Sequence, residues 1–110
     1  MRKFLHIAIN FSRSESSVDD IQPVLNKAVD WVRYAPNCWV VLTTSDLIVW
    51  YQRLKGVLHD NDTFFVTELA ILDSQVSCTG FLPAFIWQWF AKHGPSVTQL
   101  PTLPSPSDNV

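Results

Sequence analysis

The chain has 110 residues, of which 47% are hydrophobic, 13% aromatic and only 16% charged, with a formal net charge of −2. Soluble domains carry about 25% charged residues, so this chain is rich in apolar surface and short of solvating charge; intrinsic disorder does not fit its body, and two full domains do not fit its length. The eight Lys and Arg residues are scattered, without the basic stripe that phosphate neutralisation needs, and no apolar run reaches the roughly 18 residues of a membrane span.

Residues 4–11 (FLHIAINF) predict a strand that is apolar on both alternating faces until Asn10, hence a central one. Met1-Arg2-Lys3 ahead of it does not read as a signal peptide, because His6 and Asn10 interrupt the run and no small-residue cleavage site follows. Residues 12–19 are polar and aperiodic, a loop. A helix is expected over 20–33, with Asp20 as cap, Pro23 in the first turn, and Ile21, Val24, Leu25, Ala28, Val29 and Val32 on one face. Residues 34–37 (YAPN) break it. The run CWVVLT, 38–43, predicts a second strand. Asp46 or Ser45 then caps a helix whose apolar face is Leu47, Trp50, Tyr51, Leu54, Val57 and Leu58.

The turn HDND, 59–62, precedes a third strand over 63–69, with Phe64, Val66 and Glu68 on one face and Phe65, Thr67 and Leu69 on the other. Residues 72–80 read as a loop. A short helix over 81–92 is apolar around most of its circumference, which places such a helix either deep in a core or between subunits. Its residues Phe81, Phe85, Trp87, Trp89 and Phe90 are the expected interface, while Trp31, Trp39 and Trp50 are expected to share a core. Residues 94–110 hold four of the seven prolines and read as a disordered tail.

The alternation of strands and helices predicts an α+β chain. If residues 34–43 bend into two short strands around Pro36, the result is a ferredoxin-like sandwich. That gives one mainly antiparallel sheet with two helices on one face, plus an extra C-terminal aromatic helix. Residues 1–93 form the single domain in this reading.

Few side chains offer chemistry. His6, His59 and His93 lack metal-site spacing, and so do Cys38 and Cys78, which suit a reducing cytoplasm. His6 and Cys38 could be neighbours on adjacent strands, but a thiol without an electropositive setting is inert. Asp46 is expected to cap a helix. Glu68 is the least expected acid, placed to pair with Arg33, Arg53 or His6.

The opening strand FLHIAINFS, the run CWVVLTTSD leading into WYQRLKGVL, and the segment HDNDTFFVTEL together resemble small ferredoxin-like proteins. These are the relatives of CRISPR-associated endonuclease subunits and the stand-alone SinR-like proteins, and the resemblance covers residues 3–70. It implies a ferredoxin-like fold and a homodimer with the sheets brought together. In the nuclease members an Asp near the end of the first strand serves divalent-metal-dependent phosphodiester cleavage. Here Asn10 matches that position, and a neutral amide gives a hard cation no charge to offset dehydration. Ser12 and Arg13 could still contact a phosphate, and Asp46 and Glu68 are the acids a metal would have to use.

The expected function is therefore a non-catalytic interaction or regulatory protein, a cytoplasmic homodimer in phage or bacterial defence that needs no cofactor. Two alternatives stand beside it. One is a nuclease of the same fold, acting on RNA or DNA with a divalent metal. The other is an antitoxin, immunity or counter-defence protein that neutralises a protein partner.

Overall fold

The computed structural model describes residues 1–12, 18–72, 75–76, 78–94 and 96–97. The chain divides into two compact units, Met1–Glu68 and Leu69–Val110.

In the first unit the elements run β1 (Lys3–Asn10), α1 (Val18–Leu25), β2 (Asp30–Ala35), β3 (Cys38–Thr43), α2 (Leu47–Val57) and β4 (Thr63–Leu69), whose final residue falls in the second unit. The strands form one antiparallel sheet in the order β2-β3-β1-β4. Element order and strand order together make the ferredoxin-like arrangement. Register places Leu5 opposite Val41 and Ile7 opposite Trp39. Those residues share one face with Ile9, and onto it pack Ile21, Val24 and Leu25 of α1 and Trp50 and Leu54 of α2. Each such burial stabilises by roughly 1.5–3 kcal/mol. Trp39 and Trp50 are both wholly buried there, and Trp31 packs against the cluster. The Trp50 indole Nε1 donates to Thr43 Oγ1 at 3.1 Å, so its one polar atom is satisfied. The alternate residues Phe4, Val40 and Leu42, on the opposite sheet face, are buried too.

The helix expected over 20–33 is corrected. α1 starts at Val18 and ends at Leu25, so Asp20 lies within its first turn and Pro23 is interior. Residues 30–35 are strand β2, not helix. The apolar spacing continues through Val32, but Trp31, Val32 and Tyr34 favour extended backbone. Pairing across Pro36-Asn37 with β3 sets Trp31 opposite Val41 and Val32 opposite Val40. The hairpin anticipated around Pro36 therefore forms, with its first strand four residues earlier than the bend over 34–43 implied.

The second unit holds β5 (Ile71–Leu72), β6 (Gln75–Val76), α3 (Ala84–Lys92) and β7 (Ser96–Val97). β6 pairs antiparallel with β5 and parallel with β7. Two short strands thus lie in the stretch expected to be loop, and β7 lies in the stretch expected to be tail. The rest of that tail beyond Val97 lies outside the described residues. α3 begins three residues later than expected and ends before Gly94, whose φ of +107° suits only glycine. Among the described residues no helix is long and apolar enough to cross a membrane.

Candidate functional site

Two polar clusters sit at opposite ends of β1, roughly 20–25 Å apart along an eight-residue strand. At its C-terminal end Asn10 is exposed. Beside it the Ser12 backbone N–H and Oγ both donate to Asp62 Oδ1 at 2.7 Å, and the His59 N–H donates to Asp62 Oδ2 at 2.9 Å. The Asp62 N–H returns a bond to the His59 carbonyl at 3.0 Å. One carboxylate thus closes the 59–62 turn and ties the start of β4 to the chain leaving β1. The two donors of Ser12, and then that of His59, hold its carboxyl at a pKa of about 2.

This chemistry is that of a clamp. Both oxygens of Asp62 already accept, the Ser12 hydroxyl proton points at it, and Asn10 adds no charge. These groups do not fit a hard divalent cation, which needs anionic oxygens free to coordinate. Among the described residues no group of three or more His, Cys, Asp or Glu side chains is placed to hold a metal. Arg13 lies outside the described residues. Asp62 is the residue that sequence reading missed: it was legible as part of a turn, and its last position before a strand was the available signal.

At the N-terminal end of β1, Asp46 occupies the N-cap position of α2 but makes no capping bond with its side chain. Its carboxylate pairs instead with Lys3 Nζ at 2.5 Å, which corrects the expectation of a cap. Lys3 holds the Asp46 carboxyl below its usual range, and Asp46 in turn raises the Lys3 ammonium. Glu68 is exposed on β4 and acts on Lys3 in the same direction. Lys3 is thus an electrostatic neighbour of Glu68, and among the described residues no ion pair joins Glu68 to Arg33, Arg53 or His6. Asp46 and Glu68 gather around one lysine, far from Asn10 and Ser12, so the expected contact residues do not converge on one site.

His6 and Cys38 are linked through a third residue. The His6 Nε2 and the Tyr34 hydroxyl share a hydrogen bond, with ring centroids 5.5 Å apart. Burial, with a further hydrogen bond to Cys38, pushes the Tyr34 phenol up to about 12, and burial pushes the His6 imidazole down. Both rings are therefore neutral near pH 7, as suits a half-buried polar contact.

The expected interface helix divides sharply. Phe81 (58%) and Phe85 (46%) are exposed, but Trp87, Trp89 and Phe90 are buried. Trp87 stacks on Phe90, and Trp89 meets Phe90 and His93 edge-on. Those three rings are packed inside the chain and present no anchor.

An exposed apolar groove lies elsewhere. α2 buries Trp50 and Leu54, but Leu47, Ile48 and Tyr51 form a second stripe at spacings of three and four that stays exposed. With Lys55, Asp62 and residues 63–66 of β4 this stripe lines a groove of about 560 Å³. Tyr51 and the half-buried Phe64 meet across it, centroids 5.4 Å apart. Phe65, turned to the other sheet face, is 65% exposed. The predicted helix face of α2 is therefore wider than the core it covers. No protein-family model, curated protein or solved structure matches this chain.

Proposed function

We propose that the chain is a non-catalytic interaction protein that works as a homodimer through the α2–β4 side of its sheet. The observation that carries this reading is the groove itself: contiguous exposed apolar side chains on a helix and a strand of one packed unit. Isolated surface hydrophobes are ordinary, whereas a contiguous exposed apolar patch is often functional. The polar clusters support the same reading, since Asp62 is saturated with donors and Asp46 is paired to Lys3. A role in phage or bacterial defence rests on the resemblance over residues 3–70 alone.

Light scattering of the full chain over a wide concentration range tests it. The wild-type chain is expected to dimerise, and Ile48→Glu with Tyr51→Glu to give a folded monomer. A wild-type chain that stays monomeric throughout overturns the homodimer. Magnesium-dependent cleavage of RNA or DNA that is lost in Asp46→Asn or Glu68→Gln overturns the non-catalytic assignment.

A further inference from the structure

We infer that the partner is a second copy of this chain, and that the two join by antiparallel pairing of β4 with β4 about a two-fold axis through Phe65, making one continuous eight-stranded sheet. This rests on the reading of the α2–β4 side as an interaction surface and specifies its geometry. β4 ends the strand order of its sheet, so one row of its backbone groups has no strand partner there. An edge of this kind is a template for another strand unless charge, proline or a bulge blocks it. Thr63–Thr67 carries neither a charged residue nor a proline.

Side-chain parity selects the register. Residues directly opposite in an antiparallel pair point to the same face, so a two-fold axis normal to the sheet passes through a residue position. With the axis at Phe65, that exposed ring meets its own copy on one face. Phe64 then meets Val66 of the other copy on the helix face, and Thr63 meets its Thr67. Aromatic–aromatic, aromatic–β-branched and Thr–Thr are the pair types that stabilise antiparallel sheets. The arrangement covers the one aromatic of β4 that the chain itself leaves bare.

The same arrangement brings three charged groups together at each of its two ends. Lys55 lines the groove beside the start of β4, and Glu68 sits near the end of β4 on the face shared by Phe64 and Val66. Antiparallel pairing about Phe65 sets the Glu68 of one copy opposite the Asp62 of the other, whose two oxygens are already held by Ser12 and His59, and the Lys55 that lines the groove with that Asp62 offsets the two acids, twice by symmetry. Leu47, Ile48, Tyr51 and Phe65 are 40–65% exposed and present on the order of 400 Å² of side-chain surface. A stable contact takes roughly 800 Å² per partner, of which these side chains supply about half.

The test is a charge-reversal cycle in the full chain, read as a dimer dissociation constant by analytical ultracentrifugation. Lys55→Glu, which leaves three acids at each end of the pairing, is expected to weaken the dimer about tenfold through two symmetric contacts, and adding Glu68→Lys to it to recover most of the loss. Both residues are exposed, and circular dichroism confirms that each variant folds. A second readout uses Phe65→Cys in a Cys38→Ser, Cys78→Ser background, which is expected to form a disulfide dimer under mild oxidation while Phe64→Cys does not. A dimer with no recovery in the double variant and no cross-link at position 65 overturns the strand pairing; if Ile48→Glu with Tyr51→Glu still dissolves that dimer, the interaction surface itself stands. A monomer at every concentration overturns both.

Discussion

The two edges of the four-stranded sheet differ in how they meet a passing strand. β2 carries a register shift between Arg33 and Ala35, an exposed arginine beside it, Asp30 at its start and Pro36 at its end. The Arg33 guanidinium donates to the Pro36 carbonyl and lies over the Trp39 ring at 5.9 Å, so it is held at the bulge. β4 is seven residues of aromatic, β-branched and threonine character with one acid near its end. Bulges, charges and prolines are the usual devices that stop edge-to-edge association. β2 carries charge and a bulge, whereas β4 carries a single charged residue, Glu68. The proposed strand pairing uses the edge that carries less charge.

The largest change to this contrast is expected from Trp50→Ala. Trp50 is wholly buried, bonded to Thr43 and covered by Arg53 at 5.1 Å, and with Leu54 it is one of the two residues that α2 buries in the core. Its removal is expected to cost ~3–5 kcal/mol by urea denaturation. The loss falls unevenly, because α2 flanks β4 whereas β2 is held by its own hairpin with β3. Amide exchange is expected to rise more in β4 than in β2. A uniform rise across the sheet would show that the edges share one support.

Asp62→Asn is expected to come next, because it loosens the start of β4 without touching β2. An amide can accept from Ser12, but its NH₂ would face the His59 N–H, donor against donor. The pH dependence is definite. A carboxyl held at about 2 when folded and near the ordinary aspartate value when unfolded contributes stability above about pH 4, which is lost as pH falls towards 2. The stability gap between wild type and Asp62→Asn should therefore narrow over that window. A gap that is constant from pH 7 to pH 2.5 would remove the carboxylate from the account.

The open edge and the clamp behind it were unequally legible in the sequence. Residues 63–69 read as a strand, and the same residues form β4, because alternation and β-branched content act locally. The run 38–43 matched β3 for the same reason. Residues 20–33 failed because the spacing of Ile21, Val24, Leu25, Ala28 and Val32 is helical well past the true end of α1. Only pairing with β3 turns Trp31 and Val32 into a strand. Asp46 was placed correctly at a helix start, but its partner Lys3 is 43 positions away. Asp62 was seen as a turn residue, and its partner Ser12 is 50 positions away. Local geometry could be read from neighbours; tertiary partners, and the identity of the edge strand, could not.

Phe65→Lys places on β4 the kind of charge that β2 already has. Phe65 is 65% exposed, so folding stability is expected to change by no more than about 0.5 kcal/mol. Self-association should nevertheless vanish, because a lysine would meet its own copy at the two-fold axis. A thermal melt and light scattering on one sample separate the two effects. Unchanged association would mean that Phe65 is exposed for some other reason.

The smallest effect is expected from Arg33→Val in that Phe65→Lys background, and it separates the two main devices on β2. The substitution removes the charge, the contact over Trp39 and the bonds to Pro36, but it leaves the backbone bulge in place. An exposed side chain of this kind contributes little to stability, with cation–π contacts at exposed sites near ~0.5–1 kcal/mol. The chain should remain monomeric, because a bulge interrupts the ladder whatever side chain stands beside it. If association returns, the charge of Arg33 alone was closing β2, and edge choice in this fold would rest on single side chains. If it does not, the choice is written in the backbone register of the β2–β3 hairpin, and a lysine at position 65 imitates only the weaker half of what β2 has.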